Sequence, residues 1–260
     1  MVLFSLLAGC AINPVTGRRE LVLMSSEREA QLGRQTAAQV AEEMGLIDSP
    51  ALTAYVEEIG ERLARHSPRR DVAYRFAVVD MQEPNAFALP GGYIYVSRGL
   101  LAIANSEAEL ANVVGHEIGH VAARHSAQRE TRALGVGVLA ALGTAAAGAI
   151  GGAGAAQGAA QIGQVAGAGF IASYGRDQER QADEVGQGLA AQAGWDPAAM
   201  ASFLNTLGRA AELQSGGSRQ PSFLDSHPMT DERVRNTAIR ADSLQASPAA
   251  PIAATRSAFY

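Results

Sequence analysis

Residues 113–125 read VVGHEIGHVAARH. Two histidines, His116 and His120, bracket Glu117 on a stretch with a helical pattern. Ser106 is a good N-cap and Glu109 completes a capping box, after which Leu110, Val113, Val114, Ile118 and Val121 recur at the helical period. The four-residue spacing puts both imidazoles on one face, where they reach a single zinc ion at about 2.0–2.1 Å. Glu117 points beside such an ion and is placed to take a proton from water without binding the metal. Gly115 and Gly119 each cost about 1 kcal/mol in a helix interior, so two within one turn indicate close packing against another element. The plainer alternative is a helix with two buried histidines. A third donor distinguishes the two.

The other histidines are His66, His125 and His227. His125 lies five residues past His120, which rotates it off the ligand face of a continuing helix. His66 follows Arg65 and precedes Arg69 and Arg70, as at a solvated helix terminus. Carboxylates and His227 remain. In SYGRDQERQADEVG (173–186), Glu179 and Asp183 are four apart and share a helical face. One could bind a metal while the other orients a ligand histidine. Arg176 and Arg180 on the same helix also fit a solvated face of i,i+4 charge pairs, so spacing alone leaves both readings open.

The chain has 260 residues, enough for one full core, with a net charge of −5 and no basic run, which argues against nucleic-acid binding. Its single cysteine, Cys10, excludes an intramolecular disulfide. Cys10 ends the apolar run MVLFSLLAGC, similar to the lipobox of bacterial lipoproteins, although no Lys or Arg precedes the run. Residues 1–9 are therefore expected to be a signal remnant, Cys10 a lipidation site, 10–25 a tether, 26–245 the folded domain and 246–260 a flexible tail. The N-terminal run is shorter than the roughly 20 residues needed to span a bilayer.

Helices are expected from a Ser26–Glu29 capping box to Met44, from Ser49-Pro50 to Arg65, and over 176–193, 197–213 and 230–245. A strand is expected over 74–80, and two strands about the Pro90-Gly91-Gly92 turn within 85–101. Residues 215–222 read as a loop. From Ala133 to Gly175 no residue is charged and most are Ala or Gly. This segment is expected to form a loose helical hairpin or loop over the site, with membrane contact or partial disorder as alternatives.

Taken together, these motifs resemble the HtpX-like and CAAX-prenyl-protease family of zinc metallopeptidases, and within it the periplasmic lipoprotein members. GHEIGHVAARH supplies two histidine ligands and a catalytic glutamate. ERQAD corresponds to the family's Glu-x-x-x-Asp, which makes Glu179 the third ligand and Asp183 its companion. NAFALPGGYIYV corresponds to the strand pair ahead of the active helix, NPVTGRREL to the tether, and SHPMTDERV to a late His-Pro motif that puts His227 and Arg233 near the metal. Gly175 departs from the serine that many relatives carry.

The resemblance implies an α+β fold: a mostly helical, compact gluzincin domain with a small, mostly antiparallel sheet next to the HExxH helix. It also implies an edge strand at Asn85, Ala86 and Phe87 that pairs with extended substrate. One Zn2+ per chain would be held by His116, His120 and Glu179, with Glu117 as general base and one position open. Tyr174, Arg233 or His227 would assist the oxyanion, or His227 would occupy the open position and keep the enzyme latent. The expected function is an endopeptidase acting on misfolded or stalled outer-membrane proteins, periplasmic and lipid-anchored to the outer membrane. The rival reading is a latent zinc scaffold or chaperone in outer-membrane protein assembly.

Overall fold

The computed structural model describes residues 10–135, 173–213 and 222–244. Its elements in chain order are β1 (Cys10–Ile12), β2 (Arg19–Leu21), α1 (Ser26–Glu43), α2 (Pro50–Ala64), β3 (Arg75–Val79), β4 (Ala86–Leu89), β5 (Tyr93–Ser97), α3 (Arg98–Ile103) and α4 (Glu107–Ala122). A helical stretch over 125–135, here α5, precedes α6 (Arg176–Ala193), α7 (Ala199–Leu213), α8 (Phe223–Ser226) and α9 (Asp231–Ser243).

The spine is α4. Ser106 Oγ accepts from Glu109 N at 3.2 Å, as a cap should, and every residue from Glu109 to Ala122 is buried. A helix buried all round must be packed on several sides. On one side α2 brings Val56, Ile59 and Leu63, and the sheet brings Phe76, Val78, Ile94 and Val96; Leu110, Val114 and Ile118 of α4 join them in the main core. A second cluster on the opposite face of the sheet packs Phe87, Leu89 and Tyr95 against Val40 of α1. The sheet is thus covered on both faces by helices.

Strand order is β3-β5-β4, with β4 antiparallel and β3 parallel to β5. The three-stranded sheet is mixed, because β3 and β4 both pair with β5 and run in opposite senses, and the β1–β2 pair is antiparallel, so two of the three strand pairings are antiparallel, as expected for the α+β fold. Gly91 and Gly92 turn the β4–β5 hairpin at φ of 77° and 94°, and a Cβ on Gly91 would come 2.9 Å from Ala30 Cα. Ser97 ends β5 and caps α3, so residues 98–101, expected as strand, are helical.

The stretch expected as a tether is instead an antiparallel hairpin, β1–β2. Asn13 Oδ1 accepts from Val15 N at 2.8 Å and so closes its turn, while Val22 and Met24 pack against Ala127 of α5. Ser25, one residue earlier than expected, caps α1. The expectations for 1–9, for 136–172 of the charge-free segment, for residues 215–221, for residue 245 of the last helix and for the tail 246–260 fall outside the described residues. Among the described residues no helix is long and apolar enough to cross a membrane.

Candidate metal centre

The centre lies where α4 and α6 touch backbone to backbone. A Cβ on Gly186 would lie 2.6 Å from His116 N, one on Gly115 2.9 Å from Gly186 O, and one on Gly119 2.9 Å from Ala182 O. The helix-interior glycines of the HExxH stretch therefore have a steric reason. This contact holds Glu179, on α6, level with the two histidines of α4.

Four donor atoms converge there. His116 Nε2 is 3.0 Å from His120 Nε2 and 3.2 Å from His227 Nδ1. Glu179 Oε1 is 3.0 Å from His227 Nδ1 and 3.3 Å from His120 Nε2. All four residues are buried, and their donor atoms lie within 4.8 Å of one another. A regular tetrahedron with centre-to-vertex distances of about 2.0–2.1 Å has edges of about 3.3 Å. The observed edges fit one tetrahedral ion, and three imidazoles with one carboxylate suit zinc.

The surroundings orient these donors. Asp183, one turn past Glu179, lies outside the cluster: its Oδ1 is 2.8 Å from His116 Nδ1, which leaves His116 Nε2 facing the other donors. Arg233 donates from Nε (2.6 Å) and Nη2 (2.8 Å) to Asp183, and its Nη1 lies 2.7 Å from Glu179 Oε2. Burial would raise both carboxyls, but His227, His120 and His116 hold Glu179, and the guanidinium with His116 holds Asp183, below the usual carboxylate range. Burial disfavours a charged His227, but the carboxylates of Glu179 and Glu117 outweigh it and raise its pKa. Burial drives that of His120 well down.

Glu117 is fully buried, and neither carboxylate oxygen has a hydrogen-bond partner among the described residues. His227 Nε2 stands 3.4 Å from its Oε1. Burial, working against these histidines, pushes the Glu117 carboxyl up. A buried carboxylate without hydrogen bonds is costly. It belongs beside a group that compensates its charge or exchanges protons with it.

His125 is not one of the four clustered donors, as its spacing implied, but it lies beside the site rather than turned away from it. The argument that it turns off the ligand face holds for a continuing helix, but α4 ends at Ala122 and Arg124 adopts φ 59°. His125 comes back under the site, its Nδ1 2.9 Å from His120 Nδ1 and its Nε2 2.8 Å from Gln181 Oε1. An amide oxygen only accepts, so His125 Nε2 donates to Gln181 and its Nδ1 accepts from His120. His120 Nε2 is thereby left with a free lone pair. Nothing in Ala122-Ala123-Arg124 signals the break, since there is no Gly or Pro.

Glu29 was misread. Instead of closing a capping box with Ser26 it accepts from Arg69 Nη2 at 2.7 Å and from Arg124 Nε at 3.0 Å, and Arg69 Nη1 donates to Val121 O at 3.0 Å. This buried triad clamps the C-terminal end of α4, which carries His120.

Tyr174 stacks on the His120 ring at 3.8 Å, with its hydroxyl 3.3 Å from Ser126 Oγ. Ala86 and Phe87 lie on β4, at an edge of the three-stranded sheet, and Asn85 directly precedes them; all three are buried. Just upstream, Pro84 O accepts from Phe223 N at 3.0 Å, so α8 already touches this edge. His66 follows the C-cap of α2 at Arg65 and is not one of the four clustered donors.

A model of peptidase family M48 matches residues 50–241. The chain is 32% identical over 230 residues to the beta-barrel assembly-enhancing protease of Escherichia coli, an alignment covering 85% of this chain and 45% of that protein. It is 29% identical over 226 residues to the mitochondrial metalloendopeptidase OMA1 of Schizosaccharomyces pombe, covering 85% and 64%. It is 30% identical over 191 residues to the metalloprotease LoiP of E. coli, covering 72% and 71%. The match thus spans a little under half the length of the assembly-enhancing protease. HtpX-like and CAAX-prenyl is a coarser label than these relatives carry. The family match runs from the first turn of α2 into α9 and takes in every element that brings a donor to the cluster, so the chain belongs to peptidase family M48 and carries its metallopeptidase domain.

Proposed function

We propose that the protein is a zinc-dependent endopeptidase of the bacterial cell envelope whose catalytic group is Glu117. The observation that carries this reading is the pairing of a tetrahedral donor set with a buried carboxylate that has no hydrogen-bond partner beside it. His116, His120 and Glu179 would hold the ion. Zinc so bound supplies Lewis acidity, lowering the pKa of water toward about 7 and polarising a scissile carbonyl. Glu117 takes the proton of the attacking water and returns it to the leaving amine. A carboxyl pushed up by burial is suited to both steps, since it is a stronger base toward the attacking water than an exposed carboxylate and then holds the proton long enough to pass it to the amine. Asp183 and Arg233 fix His116 and Glu179, and the β4 edge from Asn85 to Phe87 aligns an extended substrate.

The substrate class in this reading is misfolded or stalled outer-membrane protein, in keeping with a relative named for β-barrel assembly. The location is the periplasm, with Cys10 lipidated and held at the outer membrane. Zinc-loaded protein should cleave casein, and Glu117→Gln should keep its zinc and lose cleavage. Equal cleavage by the two proteins would remove Glu117 from the reaction.

A second reading is favoured by His227. Its Nδ1 completes the donor set, and closed four-donor zinc sites are structural. The segment that carries it also hydrogen-bonds to Pro84 O at the head of the substrate edge. The resting protein is then latent, and His227 must leave before substrate enters. A protein that never released His227 would serve as a zinc-bound scaffold.

A further inference from the structure

The β1–β2 hairpin has one face on the protein and one face outward. Its register pairs Cys10 with Leu21 and Ile12 with Arg19, which puts Ile12, Arg19 and Leu21 on a common face. Val22 and Met24 point inward onto Ala127, whereas Ile12, Leu21 and Leu23 point out and are 61%, 56% and 57% exposed. Leu23 N donates to Thr131 Oγ1 on α5 at 2.9 Å, and Leu134, one turn further along α5, is 53% exposed. Four of the seven exposed large apolar side chains among the described residues therefore belong to this hairpin and the helix it packs on.

Three arginines stand exposed on and beside these segments. Arg18, Arg19 and Arg132 are exposed, and Arg132 borders the same depression as Leu21. Of the acids bordering that depression, Glu20 is engaged by Asn13 and Gln128, and Asp177 by Arg180. Two uncharged stretches of sequence also join the chain here: the apolar run before Cys10, and the charge-free run that starts at Ala133.

We propose that this face, formed by Ile12, Leu21, Leu23 and Leu134 with its arginine rim, docks on a lipid bilayer that contains anionic headgroups. Apolar side chains enter the acyl boundary while arginines meet phosphates, the pattern of interfacial membrane binding. The surface acts whether or not Cys10 is acylated, and does not depend on the peptidase reading. Where the cysteine is acylated, it supplies the second of the two signals that stable anchoring takes.

The test uses the full unacylated chain with Cys10→Ser, floated with vesicles of equal parts phosphatidylethanolamine and phosphatidylglycerol. The parent should float. Leu21→Asp with Leu23→Asp should weaken binding by about tenfold or more, since each leucine loses apolar burial and gains a charge at the interface. Arg18→Glu with Arg19→Glu should also weaken it, more at low salt than at high. All variants should melt as the parent does, because the altered side chains are exposed. A polarity-sensitive fluorophore on Leu23→Cys should shift to the blue on adding vesicles. Undiminished flotation of the leucine variant, or an unshifted fluorophore on a floating protein, would overturn the proposal. So would a parent that does not float but forms a dimer which the leucine variant abolishes, since the face would then join two copies.

Discussion

Gly186 on α6 faces the backbone nitrogen of His116 on α4 so closely that a Cβ there would lie 2.6 Å from it. The two helices bring Glu179 to the histidines only because neither carries a side chain at this crossing. Gly186→Ala should push α6 away and lose zinc binding along with stability, on the order of 2–3 kcal/mol as for overpacking. Gly188, whose added Cβ would meet nothing within 4 Å, is the control. Gly188→Ala should be neutral or slightly stabilising in a thermal melt.

The two acids of α6 should separate in metal content. Glu179 contributes an oxygen to the donor set, whereas Asp183 acts through His116. Asp183→Asn should weaken zinc binding by about 10–100-fold, and Glu179→Gln by more. Titration against a zinc chelator measures both, and equal affinities would contradict the assignment.

His125 carries a pH signature. Burial depresses its pKa from the usual 6.5 to about 4. Between those values the unfolded chain binds the proton and the folded chain does not, so stability rises with pH across the window and is lost as pH falls. The loss in metal-free protein approaches about 3 kcal/mol by pH 4. Chelator-treated protein should melt at lower temperature at pH 5 than at pH 7, and His125→Gln should flatten that slope. It should also bind zinc about 10–100-fold more weakly, because His120 loses the partner that fixes its tautomer.

The α4 core, its Ser106 cap and the extent of α6 were legible because period and capping are local. The Glu179–Asp183 pair was legible as a shared face, but which acid reaches the metal depends on the crossing at Gly115 and Gly186. His125 and the Glu29 triad were not legible. One depends on a backbone reversal at Arg124 that no residue type signals, the other on contacts between residues about 40 and 95 positions apart along the chain. The parallel pairing of β3 with β5 was not legible, because β3 is joined to β5 across an intervening strand, and the pairing sense of such strands is not written in their alternation.

His227→Ala should raise peptidase activity or cause self-cleavage if the imidazole blocks the metal. If it donates to the oxyanion instead, the same change should lower kcat by about 10²–10³-fold. The position of Nδ1 among the donors favours the block.

The most direct measurement is the zinc K-edge absorption spectrum of the resting protein and of His227→Ala. The account predicts a four-coordinate ion with three imidazole nitrogens and one carboxylate oxygen at about 2.0–2.1 Å. One imidazole should be replaced by a water oxygen in the alanine variant. An identical imidazole count in the two proteins would contradict a donor set that includes His227, and a site with fewer than two imidazoles would contradict the metal centre itself.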